Sequence, residues 1–584
     1  MKKCEEMCAE DNYKLVKEAC KGLACEEGGV NTGKLWKLKR RLQGILVEPP
    51  TAMLDGKGNL VTTNSAIENI TMEMYRERLK ASEIKQDLNV YKMQSDKLCE
   101  QRFKEAHDNK TPPWNLEDLE IVLKQLKSSK SPDPLDFANE LFQANNAGND
   151  LKLAVLRLMN QIKSQQAFPE QLKYCNITSL YKQKGSKKDF DNYIGIFRVT
   201  ILRSIMDKLI YNDEYHTIDE NLTDSNVGAR RGRNIRDHIF VLNAILFASE
   251  CLNDLFENCL QNDKLCLLHL ENIDAKVAIK IPGGITKRVT ISDNIMQGTV
   301  WGSLMCTCSM DKLAKKANEN PEMLYKYKGV PIPPLEMVDD ILTVTDVTNT
   351  LHMNKEVNTF VEHKKLNLSD KKCSRIHIGD GHTNCPELKG HKKIMKESIS
   401  EKYLGDTVDS SGNIQATIDS RKAKGTGIVA EIMSIIEEIP FWKYKIDVAM
   451  KLREAMLING MLYNSESWHG VTSKHMKRLE AVDEALLRNI LKAHSKTPLE
   501  FLYLETGSLQ LRWIVAQRRI VFMQQIMRRH DNDLLKKVFL AQKQNPTQGD
   551  FVKIVESDLT DLGVTFEQVT SSNTSKVKCK DCRF

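Results

Sequence analysis

Apolar residues recur three and four positions apart through most of residues 420–545, which is the spacing of an amphipathic helix. The clearest runs extend from Val448 to Leu462, from His475 to Leu491 and from Leu511 to Arg529. Each run has the length of an ordinary globular helix, so this part of the chain is predicted to be a bundle of packed helices.

The middle of the chain has a different pattern. Short apolar runs separated by Gly, Pro and Asn fill residues 168–345, which is typical of strands and turns mixed with helices. Ahead of this region a helical pattern extends from Ile67 to about Lys104. Another helix is predicted to begin at Asn115, because Asn caps free backbone amides and the acids after it favour the positive end of the helix dipole. The predicted fold class is α+β.

Composition narrows the class of protein without naming an activity. The chain has 584 residues, 41% hydrophobic and 28% charged, so it is predicted to be globular rather than disordered. No apolar stretch has the length of a membrane span, and acids interrupt the region where a signal peptide needs an apolar run. We therefore expect an intracellular protein, neither secreted nor membrane-bound, in the nucleus or the cytoplasm. The net charge of +7 permits nucleic-acid binding without requiring it.

The most informative stretch is PIPPLEMVDDILTVTD, residues 331–346. Apolar residues flank Asp339 and Asp340, and this pattern predicts two buried strands joined at the acids. Two adjacent carboxylates repel each other unless a counter-charge is present, and a divalent cation with oxygen ligands supplies one. The simpler alternative for this dipeptide alone is a solvated turn.

Three other segments carry polar residues that suit nucleotides or nucleic acid. Lys182 lies at the tip of a predicted hairpin, where an ammonium group can meet a triphosphate, although lysines in solvated turns are common. Gln297 and Gly298 stand at a predicted helix start, where Gly admits a ligand close to the backbone and Gln offers a donor and an acceptor. Four arginines interleaved with glycines suit a phosphate backbone, with a solvated face as the alternative: Arg230, Arg231, Arg233 and Arg236.

The order of these segments is more specific than any one of them. Along the chain come the Lys182 hairpin, the arginine segment, Gln297-Gly298, Asp339-Asp340, a lysine-containing strand with Lys372, and a turn at Tyr403-Leu404-Gly405-Asp406. This series resembles the reverse transcriptase domain of non-LTR (LINE-like) retrotransposons. The resemblance extends from about residue 35 to about residue 562.

The resemblance implies a right-hand polymerase with fingers, a ferredoxin-like palm and a helical thumb. The expected units are a helical N-terminal extension at 1–114, fingers at 115–236, an incomplete palm at 237–412, a helical thumb and connection at 413–545, and a poorly ordered tail at 546–584.

The resemblance also implies an activity, RNA-directed DNA polymerisation. The implied partners are an RNA template, a DNA primer and a dNTP, with no membrane and no small-molecule cofactor. Two Mg²⁺ ions carry out nucleotidyl transfer in this family, and Asp339 and Asp340 match the hairpin that supplies part of their ligands. The residues matching the nucleotide site are Lys182, Gln297, Gly298 and Lys372, and the four arginines are expected to contact nucleic acid.

The chain departs from this family at one metal ligand. An earlier Asp on the first palm strand is expected between the helices at 237–243 and 252–255, but the joining residues 244–251 contain no Asp and leave no room for a strand. The first palm strand is therefore predicted to be deleted, which leaves the Asp339-Asp340 hairpin with an unpaired edge. Ile194 also replaces an arginine that is expected to meet the triphosphate.

These departures predict a reverse-transcriptase-like protein of a retroelement. With this amino-acid sequence it is expected to be inactive as a polymerase, because loss of a metal ligand lowers the rate of the catalysed reaction. Two alternatives remain open: a non-catalytic relic that binds nucleic acid, and an active polymerase whose gene model is mis-spliced across codons 243–252. Cys579 and Cys582 form only half of a four-cysteine zinc site, so no zinc is predicted there.

Overall fold

The computed structural model of the chain describes residues 52–79, 111–238, 275–378 and 386–571, apart from gaps at 56–57, 129, 144, 183–184, 282–283, 286–288, 292–303, 305–306, 309, 339, 364–367, 370–371, 391–392 and 438–441. Several predictions concern residues outside these ranges, namely the joint at 244–251, Gln297, Gly298, Asp339 and the Cys579-Cys582 pair.

The fold is α+β, as predicted, and helices predominate over small sheets. None of the helices in the described ranges is long and apolar enough to cross a membrane. The helices are α1 (Asn64–Leu79), α2 (Leu116–Lys124), α3 (Asn139–Phe142), α4 (Asn149–Gln165), α5 (Ile201–Asn221), α6 (Lys312–Asn318), α7 (Thr350–His363), α8 (Gln415–Glu437), α9 (Trp442–Leu452), α10 (Asn459–Met461), α11 (Ser473–Leu491), α12 (Leu499–Thr506), α13 (Leu511–Met527), α14 (Leu534–Gln544), α15 (Phe551–Asp561) and α16 (Phe566–Ser571).

The strands are mostly short. They are β1 (Met53–Leu54), β2 (Leu60–Val61), β3 (Tyr174–Tyr181), β4 (Tyr193–Val199), β5 (Ala275–Ile281), β6 (Gly284–Ile285), β7 (Val289–Ile291), β8 (Lys326–Tyr327), β9 (Val330–Pro331), β10 (Leu335–Met337), β11 (Asp340–Leu342), β12 (Ser374–Arg375), β13 (Lys396–Glu397), β14 (Ser400–Tyr403) and β15 (Asp406–Asp409).

The start of α2 shows how local sequence sets an element. Asn115 Oδ1 accepts hydrogen bonds from the backbone amides of Glu117 (2.8 Å) and Asp118 (3.0 Å), and Asp118 Oδ2 accepts from the Asn115 amide (2.9 Å). This reciprocal capping box satisfies amides that a helix otherwise leaves free. The helix start predicted at Asn115 is confirmed.

One sheet of five strands lies in the first half of the described chain, in the order β4-β3-β5-β6, with β7 also paired to β5. β3 and β4 form an antiparallel hairpin, whereas β3 and β5 run parallel. A parallel pair needs a long crossover, and the chain between β4 and β5 contains α5. The sheet therefore joins residues that the sequence assigned to the fingers with residues that it assigned to the palm.

Helices fill the described part of residues 420–545, as predicted. The run predicted from Val448 to Leu462 is helical through α9, a π-helical turn at Arg453–Ile458 and α10, and the other two predicted runs match α11 and α13 within two residues. The segment predicted as a poorly ordered tail differs from its prediction, because it contains α15 and α16. Phe551, Val552, Val555 and Leu559 recur at helical spacing and are buried against α13 and α14, which explains why this segment folds.

A buried ion pair joins the helices of this bundle. Arg453 donates from Nε to Asp483 Oδ1 (2.6 Å) and from Nη2 to Asp483 Oδ2 (2.7 Å), and both side chains are almost fully buried. Tyr503 donates to the same carboxylate (3.3 Å), and Arg453 also bonds the Leu509 carbonyl (3.0 Å). Removal of one partner leaves an uncompensated charge in the core.

We expect Arg453→Leu to lower the free energy of unfolding by about 3–5 kcal/mol, because Asp483 then lies buried without its counter-charge. Urea unfolding at neutral pH measures this change. Arg478→Ala is the matched control, since the Arg478–Asp419 pair also joins two helices but is partly exposed, and its loss is expected to cost less than about 1 kcal/mol. The double variant Arg453→Leu/Asp483→Leu should recover most of the lost free energy of unfolding. Equal losses in Arg453→Leu and Arg478→Ala would contradict the stabilising role of the buried ion pair.

Candidate active site

The acidic segment forms the predicted hairpin. β10 and β11 are antiparallel, with Met337 opposite Asp340, so the chain reverses between these two residues. Asp340 is exposed at the first position of β11, and the other residues of β11 are only half-buried. The predicted pair of strands is confirmed, but the prediction that both are buried is wrong for β11, and the placement of Asp339 lies outside the described residues.

The turn has an unfavourable backbone conformation. Val338 has φ of +61°, in the left-handed region that a β-branched residue rarely adopts. Two-residue hairpin turns commonly need positive φ, but Gly, Asn and Asp usually supply it. A strained residue of this kind costs on the order of 1–3 kcal/mol and persists only where the surroundings hold it.

The residues just before the four arginines lie along the outer edge of β10, and residues 225–237 together are called the arginine segment. The amide of Glu336 donates to the Ser225 carbonyl (3.1 Å), and the amide of Val227 donates to the Glu336 carbonyl (3.2 Å). These are the bonds of a short parallel bridge between Asn226 and Glu336. β10 is therefore paired on both sides, because chain more than 100 residues away supplies its outer partners. Among the described strands β11 pairs only with β10, so the expectation of an unpaired hairpin edge is wrong for β10 but not for β11.

Gly228 brings this segment into contact with the turn itself. A Cβ at this position would lie 2.6 Å from the Val338 backbone nitrogen and 2.7 Å from Thr307 Oγ1, both closer than real contacts allow. Only Gly fits this close approach. The acidic turn is thus held in place by direct backbone packing.

Two buried carboxyl groups lie behind the hairpin. Glu336 and Asp311 are both fully buried, and Asn226 Nδ2 donates to Glu336 Oε2 (3.1 Å). Asp311 Oδ1 accepts from the Thr223 amide (3.0 Å) and hydroxyl (2.5 Å), and Lys315 lies 3.6 Å from Oδ2. Burial first, and then the negative charge of Asp311, raise the pKa of Glu336 well above its ordinary value. Burial raises the pKa of Asp311 too, but its hydrogen bonds from Thr223 and the charge of Lys315 act against that rise, so of the two carboxyl groups Glu336 has the more strongly favoured protonated form.

A histidine and a tyrosine complete the support of β10. His238 is buried, its Nε2 donates to the Ser225 carbonyl (2.7 Å), and its Nδ1 lies 3.3 Å from the Tyr403 hydroxyl. Burial lowers the pKa of His238 to about 4, so the ring is neutral and Nδ1 is the acceptor. The Tyr403 hydroxyl also lies 3.4 Å from the Leu335 carbonyl. β14, which carries Tyr403, thus packs beside the acidic hairpin.

Three of the four predicted nucleic-acid arginines form ion pairs with carboxylates of the chain. Arg230 is buried and bonds the Asp219 carboxylate (2.7 Å) and the carbonyls of Thr223, Asn226 and Asp219. Arg233 pairs with Asp224 (2.6 Å) and Asp533, and Arg236 bonds Glu466 (3.3 Å) and Gln525 (2.6 Å). These side chains tie the arginine segment to α5 and to the C-terminal helices.

Arg231 differs from its neighbours because it is exposed. Its guanidinium carbon lies 4.5 Å from the ring centre of Tyr215 and 5.0 Å from that of Tyr211. Its Nη2 donates to Asn212 Oδ1 (3.1 Å). Of the four arginines, this one presents its charge to solvent.

The predicted nucleotide-site lysines lie elsewhere in the fold. Lys182 follows β3 at the exposed tip of the β3–β4 hairpin, where its amide donates to the Asn192 carbonyl (2.8 Å). Lys372 is exposed in a turn between α7 and β12. Neither lysine takes part in the contacts that brace the acidic hairpin, and their nucleotide role stays a prediction.

Sequence reasoning missed the residues that hold the hairpin, namely Asn226, Asp311, Glu336 and His238. The sequence did contain one signal, because the charged Glu336 stands between the apolar Leu335 and Met337 in a predicted buried strand. A carboxyl group in such a strand needs a hydrogen-bonding partner or a proton, so this pattern indicates a polar contact inside the fold.

The described residues do not complete a magnesium site. They contain no group of three or more His, Cys, Asp and Glu side chains placed to hold a metal. Side chains alternate along a strand, so Glu336, opposite Ile341, lies on the other face of the hairpin from Asp340, opposite Met337. Glu336 therefore cannot join Asp340 as a ligand in this conformation.

The chain was compared with models of protein families and with curated proteins, and neither comparison gives a match.

We expect Gly228→Ala to destabilise the protein by about 1–3 kcal/mol, because the new methyl group overlaps the Val338 backbone and Thr307. Thermal or urea unfolding measures the loss. Gly427→Ala in α8 is the control, since a Cβ there meets nothing within 4 Å and a helical Gly→Ala change should stabilise by up to about 1 kcal/mol. A neutral effect at Gly228 would rule out the close packing of the arginine segment on the turn.

We expect Glu336→Gln to change the pH dependence of stability. The folded-state pKa of Glu336 is above the unfolded value of 4.5, so stability of the natural chain falls as pH rises from about 4.5 towards the folded-state pKa. Gln does not titrate, so the variant should match the natural chain near pH 4. At pH 8 it should be more stable, by about 1.4 kcal/mol for each unit of the pKa shift. Denaturation at several pH values tests this, with exposed Glu500→Gln as the control, and parallel stability curves would contradict it.

Proposed function

We propose that this chain is a reverse-transcriptase-like protein of a retroelement. With this amino-acid sequence it binds nucleic acid but is inactive as a polymerase. The observation that carries the proposal is the acidic hairpin. A strained turn presents Asp340 to solvent, and its β10 strand is braced by the arginine segment. Strain at an exposed acidic turn is typical of functional sites.

The arrangement around the hairpin supports the same proposal. Three segments on which the resemblance rests meet here although they are far apart in the sequence: the arginine segment, the Asp339-Asp340 hairpin and the Tyr403 turn. In this proposal the chain follows the right-hand plan, with fingers at 115–236, a palm at 237–412 and a helical thumb at 413–545. The substrates of the parent activity are an RNA template, a DNA primer and a dNTP, with two Mg²⁺ ions.

Inactivity follows from the ligands that the chain offers. Two-metal transfer needs carboxylates from more than the hairpin turn. Residues 244–251 contain no Asp, and the two acids behind the hairpin, Asp311 and Glu336, are buried with their own hydrogen-bond donors. Ile194 on β4 also offers no guanidinium to a triphosphate.

An active polymerase is the second candidate. It is favoured by the hairpin itself, which retains both acids and a conformation that stores strain. Genomic DNA or a transcript across codons 243–252 decides between the two. In-frame sequence there encoding an Asp and a Phe-Asp would restore the missing strand and the activity.

We expect the chain to bind single-stranded RNA or DNA with an affinity that falls linearly on a log–log plot against salt concentration, because released counterions drive binding to phosphates. Fluorescence anisotropy with labelled oligonucleotides measures it. Primer extension on an RNA template with Mg²⁺ or Mn²⁺ should not exceed that of Asp339→Ala/Asp340→Ala. Salt-independent binding would contradict the binding role, and metal-dependent extension lost in the double variant would show an active enzyme.

A further inference from the structure

We propose that Lys127, Lys208 and Arg231 form one binding surface for single-stranded nucleic acid, which we name the α5 basic surface. The proposal rests on the proposed nucleic-acid binding and says where on the chain it takes place. Of these residues, only Arg231 was expected from the sequence to contact nucleic acid.

The surface is built along one stripe of α5. Lys208, Tyr211, Asn212 and Tyr215 are three, four and seven positions apart, so they lie on the same face of the helix. Arg231 lies over this stripe, with its guanidinium against both tyrosine rings and bonded to Asn212. The end of α2 adjoins it, because Lys208 Nζ donates to Gln125 Oε1 (3.1 Å), two residues before Lys127.

The three cations lie close to one another, and no carboxylate of a described residue forms a salt bridge with any of them. Burial, and then repulsion from Lys127 and Arg231, lower the pKa of Lys208, whereas the charge of Asp207 raises it by less. Two other acids of α5 have partners elsewhere, since Asp219 pairs with Arg230 and Asp213 accepts from the Trp114 indole (2.8 Å). A cluster with this excess of positive charge attracts a polyanion.

Arg231 gives the surface its preference for a single strand. Cation–π contacts with Tyr211 and Tyr215 hold the guanidinium in place before any ligand arrives, so less side-chain entropy is lost on binding. Its amide also donates to the Tyr215 hydroxyl, which fixes the backbone. A guanidinium held in this way can stack on an unpaired base while the lysines contact phosphates, and bases in a duplex are not open to such stacking.

The test is anisotropy of the full chain with a labelled 20-mer of single-stranded RNA or DNA across a range of salt concentrations. Lys127→Ala/Lys208→Ala/Arg231→Ala should bind about tenfold or more weakly at 0.1 M salt, with a log–log salt slope smaller by about 2, because two lysine–phosphate contacts and the positive charge of Arg231 are lost. The control Lys474→Ala/Lys477→Ala/Lys496→Ala removes the same charge from exposed lysines on and after α11 and should keep the parental slope. Circular dichroism checks that each variant is folded.

Arg231→Lys separates stacking from charge. It keeps the cation but loses the flat guanidinium, so affinity should fall several-fold while the salt slope is unchanged. If the three-site variant binds like its control, the nucleic acid binds elsewhere and this proposal fails while the proposed function stands. If the parent chain binds no oligonucleotide, both fail. If duplex binds as tightly as single strand, the stacking role of Arg231 is overturned.

Discussion

Strand β10 is the point on which the candidate site depends. Its backbone is hydrogen-bonded to β11 on one side and to Ser225 and Val227 on the other, so neither edge is left open. One side chain, Leu335, packs in the same core as α13, α14 and α15, and the next, Glu336, lies among polar groups of the arginine segment and α6. Because β10 is fixed on all these sides, the turn after it can hold Val338 in a conformation that an isolated hairpin would not keep.

The arginine segment performs two tasks that its composition does not separate. Arg233, Arg236 and Asp237 bond residues 230 to 300 positions later, so the segment connects the C-terminal helices to the acidic hairpin. Buried ion pairs of this kind add specificity of arrangement more than net stability. Arg231, held by two tyrosines, instead presents its charge to solvent. Arginines in one short run therefore have different surroundings, and only the fold tells them apart.

Much of the fold could be predicted from local sequence. The helix start at Asn115, the helices of residues 415–527 and the hairpin around Asp340 all follow from caps, spacing and alternation, which act over a few residues. The order of α15 and α16 was missed because the segment was judged by its lower content of apolar residues, whereas the spacing of Phe551, Val555 and Leu559 is what lets a helix bury one face. The filled edge of β10 was missed because its partner lies far away in the sequence.

The sequence by itself determined the helix start at Asn115, the three helical runs that begin near Val448, His475 and Leu511, and the position of Asp340 in the hairpin, since these features depend on neighbouring residues. Tertiary structure alone decided that Asn226 meets Glu336 across 110 positions, that the pKa of Glu336 is raised, and that Arg231 rather than Arg230 faces solvent. These outcomes depend on burial and on the charges that folding brings together. Loss of water and the presence of neighbouring charges and hydrogen-bond partners change the pKa of a carboxyl group and decide whether a guanidinium group is paired inside the chain or exposed.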